Sequence, residues 1–127
     1  MSYVINNAVT AYLPLNTQVS ITAVVGFAGW HEQVALSDPN NLTNEGGIGQ
    51  GTQVITLPRP VINTPASYGT FQQYPVNVII NSDHGSNQAT WYPSYVKIVE
   101  SPNCITVFSQ DQNPAHNWNN LIVVFTW

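Results

Sequence analysis

The last seven residues, Leu121-Ile122-Val123-Val124-Phe125-Thr126-Trp127, are apolar almost without interruption. Such a run is too short to cross a bilayer, and its β-branched side chains disfavour a helix. It predicts a strand in the middle of a sheet, buried on both faces. A strand of that kind needs neighbours on either side, and the rest of the chain supplies candidates. Val, Ile, Thr and aromatic residues cluster in short runs cut by Pro, Gly and Asn, while helical periodicity is nowhere sustained. The cleanest alternation is Thr17 to Val25, with Val19, Ile21, Ala23 and Val25 on one face. Further strands are expected at Val4–Leu13, His31–Ser37, Thr52–Leu57, Val76–Asn81, Tyr95–Glu100 and Ile105–Ser109. Residues 38–41, 45–51 and 81–87 read as turns, and Pro58, Pro60 and Pro65 mark an extended, irregular connection. About eight short strands predict a two-sheet antiparallel β-sandwich of Greek-key or jelly-roll type. With 127 residues, the chain is expected to form one domain over 1–127.

What such a domain binds is constrained by its charge. Only 6% of residues are charged, against about 25% in an average soluble domain. Arg59 and Lys97 are the whole basic complement, facing Glu32, Asp38, Glu45, Asp83, Glu100 and Asp111. Two cations are too few to displace counterions from nucleic acid or to hold an anionic membrane surface. No run of about 18 apolar residues offers membrane insertion. The start, Met1-Ser2-Tyr3-Val4, lacks the basic and apolar regions of a signal peptide. A cytoplasmic location, or export without a recognisable signal, is therefore expected. Cys104 has no partner for an internal disulfide and is expected to be a small buried hydrophobe. Low charge also weakens repulsion between copies, which favours a homo-oligomer.

No nucleophile elbow, phosphate loop, dinucleotide fingerprint or zinc-protease motif is present. His31, His84 and His116 are far apart and form no spaced metal pair, so an enzyme is not expected. The richest polar stretch is 109–120, which holds Asp111, Asn113, Asn117, Asn119 and Asn120. Amides both donate and accept, so a cluster of them can pair with sugar hydroxyls without charge. Trp118, with Trp30 and Trp91 in other loops, would offer an apolar face to a pyranose ring. The alternative is a loop that satisfies its own backbone through Asx-turns, with Trp118 packed inward.

The stretch Asn117-Trp118-Asn119-Asn120-Leu121-Ile122-Val123-Val124-Phe125-Thr126-Trp127 resembles the C-terminus of the small bacterial fucose/mannose lectins of LecB type. Leu13-Pro14-Leu15-Asn16-Thr17 resembles that family's opening, Leu-Pro-Ala-Asn-Thr. Gly51-Thr52-Gln53-Val54 and Pro93-Ser94-Tyr95-Val96 are weaker counterparts in the same order. The resemblance implies a β-sandwich that pairs into dimers and tetramers, with two adjacent calcium ions that sugar hydroxyls coordinate directly. Two dications need several carboxylates. Asp111 stands at the family's Glu, but Ala115 replaces an Asp, and Asn117 and Asn120 replace two more. Gly26, followed by Phe27 and Ala28, stands where the family has an Asn ligand followed by serines. The expectation is a calcium-independent, lectin-like carbohydrate-binding oligomer with no cofactor, using Asp111, Asn113, Asn117, Asn119 and Asn120, with Trp30 or Trp91 as a stacking platform. The rival expectation is a self-assembling structural protein that has the sandwich and no sugar site.

Overall fold

The computed structural model describes residues 8–83, 88, 90–111 and 118–127, with the backbone alone at 27. The described residues are strands and turns. In chain order the strands are β1 (Ala8–Pro14), β2 (Gln18–Ser37), β3 (Glu45–Ile55), β4 (Val61–Asn63), β5 (Gln73–Ser82), β6 (Tyr92–Pro93), β7 (Tyr95–Ser101), β8 (Cys104–Gln110) and β9 (Ile122–Thr126). Hydrogen bonds join them into one antiparallel sheet along the path β1-β5-β2-β9-β8-β7, with β3 and β4 also on β2 and β6 on β5. The two ends of that path, β1 and β7, come into contact, so the sheet curls nearly into a closed barrel.

β9 takes the central place expected of it, between β2 and β8. It is not buried on both faces. Val123 and Phe125 are fully buried while Ile122 and Val124 are half-buried, because only the inner face of the curled sheet meets the core. The two strands expected at 17–25 and 31–37 are one element of 20 residues. β2 pairs with β9 through Ser20–Val24 and with β5 through Glu32–Ser37, passing register shifts between Val25 and Ala28 and between Ala28 and Glu32. Bulges of this kind bend a strand.

The glycine-rich segment read as a turn is a strand instead. Gly46, Gly47 and Gly49 lie in β3, paired with Ala35, Val34 and Glu32. Close packing explains the residue type at Gly47, where a Cβ would stand 2.3 Å from the Ile55 side chain. The proline-rich connection contains one short strand, β4, paired with the start of β2. Cys104 is half-buried at the start of β8 and so departs from the expected core position.

Inward residues of every long strand form a single core, with Leu13, Val19, Val25, Tyr74, Val76, Ile80, Val107 and Phe125 all fully enclosed. Val34 and Leu36 continue the inner face of β2, and so does Glu32, which is 0% exposed.

Candidate functional site

Alternation along β2 places Glu32 on the face of Val34 and Leu36. A carboxylate enters the core there, at the end of the sheet where β5 stops and β7 begins. Glu32 pairs with Ser82, and Ser82 pairs in turn with Tyr92. Asp83 follows Ser82, buried, and accepts from the His31 backbone N–H at 3.0 Å through Oδ1. Its Oδ2 meets His31 Nδ1 at 2.8 Å and accepts from the Gln88 N–H at 3.1 Å. From β8 comes Gln110, followed by Asp111, both buried.

The three acids feel one another. Burial, then the charges of Asp111 and Asp83, push the Glu32 carboxyl up to about 9. Glu32 is therefore protonated and neutral at pH 7. Among the described residues neither of its carboxyl oxygens has a hydrogen-bond partner, and the same holds for the buried hydroxyls of Ser82 and Ser94. Also among the described residues, no three acidic, histidine or cysteine side chains are placed to share a metal ion.

The loop of amides begins at this end of the sheet. Ser109 fastens its base, donating through Oγ to the Leu121 carbonyl at 2.7 Å and accepting from the Leu121 N–H at 3.0 Å. Asp111 donates its N–H to Asn120 Oδ1 at 3.2 Å, and Asn120 donates its own N–H to the Ser109 carbonyl at 3.2 Å. The Asn120 side chain thus accepts from the backbone of its own loop. Asn119 is exposed. Asn113 and Asn117, with His84 and His116, lie outside the described residues.

Trp118 is half-buried, and the Lys97 ammonium sits 4.6 Å from its ring centroid and 5.3 Å from that of Phe108. Lys97 is only 8% exposed, so a cation–π contact fixes the end of the loop onto β7 and β8. Trp30 lies within β2 and not in a loop, two residues before Glu32, because β2 continues through the segment read as a break. Trp91 immediately precedes β6. Both are half-buried beside the strand row Glu32–Ser82–Tyr92, at the end of the sheet that carries Asp111.

Gly26 explains how the loop packs. A Cβ there would stand 2.5 Å from the Asn119 carbonyl oxygen and 3.2 Å from the Asn119 Cβ. The loop backbone occupies the space that a side chain at this position would fill. Gly26→Asn is therefore expected to push the loop outward, costing about 1–3 kcal/mol as in other overpacked sites. Thermal denaturation reads this as a lowered midpoint, with Gly29→Asn as the comparison, since nothing lies within 4 Å of a Cβ at Gly29.

Sequence reasoning named Asp111 and missed Glu32, Asp83, Ser82, Ser94 and Gln110. One signal was legible: Glu32 shares the inward register of Val34 and Leu36, and a carboxylate on a core face marks a buried polar site. Asp83 carried no such signal, since only the pairing of β2 with β5 brings it to His31.

No protein-family model matches the chain, and no curated protein matches it significantly. Solved structures do. The C-terminal domain of the BC2L-C lectin from Burkholderia cenocepacia is similar at a TM-score of 0.61 and 16% identity, covering 99% of this chain and 97% of that one. The Chromobacterium violaceum lectin CV2L, in complex with alpha-methyl-fucoside, gives 0.60 and 19% identity over 93% and 94%. A high-affinity mannose-binding lectin of Ralstonia solanacearum gives 0.57 and 20% identity over 93% and 94%. At these identities the likeness is one of fold.

Proposed function

We propose that this chain is a non-enzymatic, lectin-like carbohydrate-binding protein that works without calcium. The observation that carries the reading is the full-length likeness to three bacterial lectins, one holding a fucoside and one named for mannose. In the finer reading of the fold, the bent β2–β3 hairpin is the shared corner of two facing sheets, which makes the domain a sandwich. Exposed Asn119, with Asn113 and Asn117, supplies uncharged hydrogen-bonding groups to sugar hydroxyls. Trp30 or Trp91 offers apolar surface to a sugar ring, and Asp111 and Asn120 brace the loop from within.

Calcium independence is supported by the donor set. Calcium takes 6–8 oxygen ligands and gains affinity from carboxylates. Asp111 is the sole acid between residues 109 and 120, and the Asn119 backbone fills the space beside Gly26. A glycan array that includes fucosides and mannosides, run with calcium and with chelator, tests the reading. Equal binding under both conditions is expected. Binding lost with chelator overturns calcium independence, and a blank array overturns the lectin reading.

A homo-oligomer belongs to the same proposal, and to its rival of a self-assembling protein without a sugar site. Edge strands usually carry charges that block edge-to-edge pairing. β1, at one end of the sheet, has none, while β7 at the other carries a buried Lys97 and an exposed Glu100, which points to β1 as the unguarded edge. Sedimentation at micromolar concentration should show a species larger than the 14.0 kDa chain. A blank array together with large assemblies would favour the rival.

A further inference from the structure

We infer that a groove on the outer surface, lined by Tyr12, Tyr68, Phe71, Gln72, Gln73 and Pro75, is a binding site for a neutral oligosaccharide, separate from the 109–120 loop. It rests on its own lining chemistry and does not need the loop to bind anything.

The hollow encloses about 320 Å³, at the lower end of the range of small-molecule sites. Its aromatic rings are left open to water, Phe71 at 65% and Tyr12 at 50% exposure. Large apolar side chains gathered in one exposed concavity mark a binding surface more than scattered ones do. Phe71 stacks on Tyr68 with ring centroids 5.6 Å apart and planes 29° from parallel, so the two rings brace each other in the wall of the hollow. Tyr12 lies across the β1–β5 pair from Pro75. Gln72 and Gln73 add amides that donate and accept.

Among the described residues no charged side chain lines this hollow, so it offers no ion-pair partner to a phosphate or carboxylate. Aromatic walls with amides at the rim suit a pyranose, whose axial C–H groups form an apolar face and whose equatorial hydroxyls seek hydrogen bonds. A second hollow of about 190 Å³ adjoins it, sharing Tyr12 and Gln73 and adding Glu100, Ser101, Ile105 and Trp127. Two adjoining hollows that share Tyr12 and Gln73 suit a ligand of more than one ring.

The wall is pre-organised, which lowers the entropy cost of binding. Gly69, at φ +56°, turns the chain so that the Phe71 N–H donates to the Tyr68 carbonyl at 3.0 Å. Tyr68 then meets the ring of Tyr74 edge-on at 5.4 Å. Tyr74 is fully buried, and its hydroxyl donates to Asp38. An exposed platform is thereby tied to the core.

Titration calorimetry with cellotriose, chitotriose and mannotriose tests the site, using the intact chain and the variants Phe71→Ala, Tyr12→Ala and Asn119→Ala. At least one trisaccharide should bind, and Phe71→Ala and Tyr12→Ala should each weaken it tenfold or more. Exposed rings are replaced, so both variants should unfold at nearly the wild-type temperature. A Phe71→Ala variant that unfolds early is replaced by Phe71→Ser or by Gln72→Ala, with the same loss expected. Binding weakened by Asn119→Ala and untouched by the groove variants overturns this inference and supports the loop. The reverse pattern supports the groove and overturns the loop reading. No binding by any trisaccharide overturns the groove. So does a sedimentation change on Phe71→Ala, which would make the groove a contact between copies of the chain.

Discussion

Replacing Asp38 by alanine is expected to lower stability by about 3–5 kcal/mol, since several buried donors lose one charged acceptor together. Asp38 ends β2 and collects the turn that follows it. It accepts from the Leu42 N–H at 2.9 Å, the Thr43 N–H at 2.6 Å, the Thr43 hydroxyl and the Tyr74 hydroxyl. The Tyr74 oxygen also accepts from the Asn40 N–H at 2.9 Å, so the ring, the turn and the acid form one network. For a chain of this length each kcal/mol moves the midpoint by roughly 4 °C, so a fall of about 12–20 °C should appear in thermal denaturation. Tyr74→Phe removes one hydroxyl and should cost only about 1–2 kcal/mol. A loss of less than about 1 kcal/mol from Asp38→Ala would show that the network contributes little.

The same residue sets an acid limit. Burial pushes the Asp38 carboxyl up, but hydrogen bonds from Thr43, Tyr74 and Leu42 outweigh it and hold the group below its ordinary value. As pH falls, the unfolded chain binds this proton before the folded one does. The stability from Asp38 is therefore complete above the ordinary carboxylate range and drains away as pH falls through the lower, folded value.

Glu32 has the opposite sign and the second large effect. Its folded value of about 9 follows from burial and from the neighbouring charges of Asp111 and Asp83, while an unfolded Glu ionises near 4.3. Between these values the folded state holds a proton that the unfolded state has released. Stability should fall by several kcal/mol as pH rises from about 5 to about 9, where the loss levels off. Glu32→Gln keeps the shape and removes the titration. Its unfolding free energy should be nearly flat over that window and exceed wild type by about 2–3 kcal/mol at pH 8. Urea unfolding at pH 5, 7 and 9 reads the slope directly. Equal slopes in the two proteins would mean that Glu32 ionises freely in the folded state. Asp111→Asn should shift the wild-type curve to lower pH, because one of the two charges acting on Glu32 is gone.

Much of this architecture could be read from residue order alone. Strand positions follow from alternation and from Pro, Gly and Asn breaks, which are local, and the apolar final run was enough to place β9 inside the sheet. The all-β class and the single core were visible for the same reason. Local patterns were less useful where the chain bends without breaking. β2 runs through Gly26 and Gly29 because pairing with β3, β5 and β9 outweighs the poor strand preference of glycine, and this places Trp30 in a strand. β3 reads as a turn by composition, yet at Gly46, Gly47 and Gly49 the neighbouring Val34, Ile55 and Val25 pack too closely for a Cβ.

Only tertiary structure decided which residues meet. Asp83 and His31 are 52 positions apart, and Tyr12 and Phe71 come together only because β1 pairs with the start of β5. No periodicity links such residues; the strand order and the curl of the sheet do. By itself the sequence determined the class of fold, the scarcity of charge, and the single acid of the 109–120 stretch. The buried trio of acids, the Asp38 network and the aromatic groove appeared only when distant strands paired. Side-chain chemistry is written residue by residue, whereas burial and proximity, which set the ionisation of Glu32 and the exposure of Phe71, belong to the folded surface as a whole.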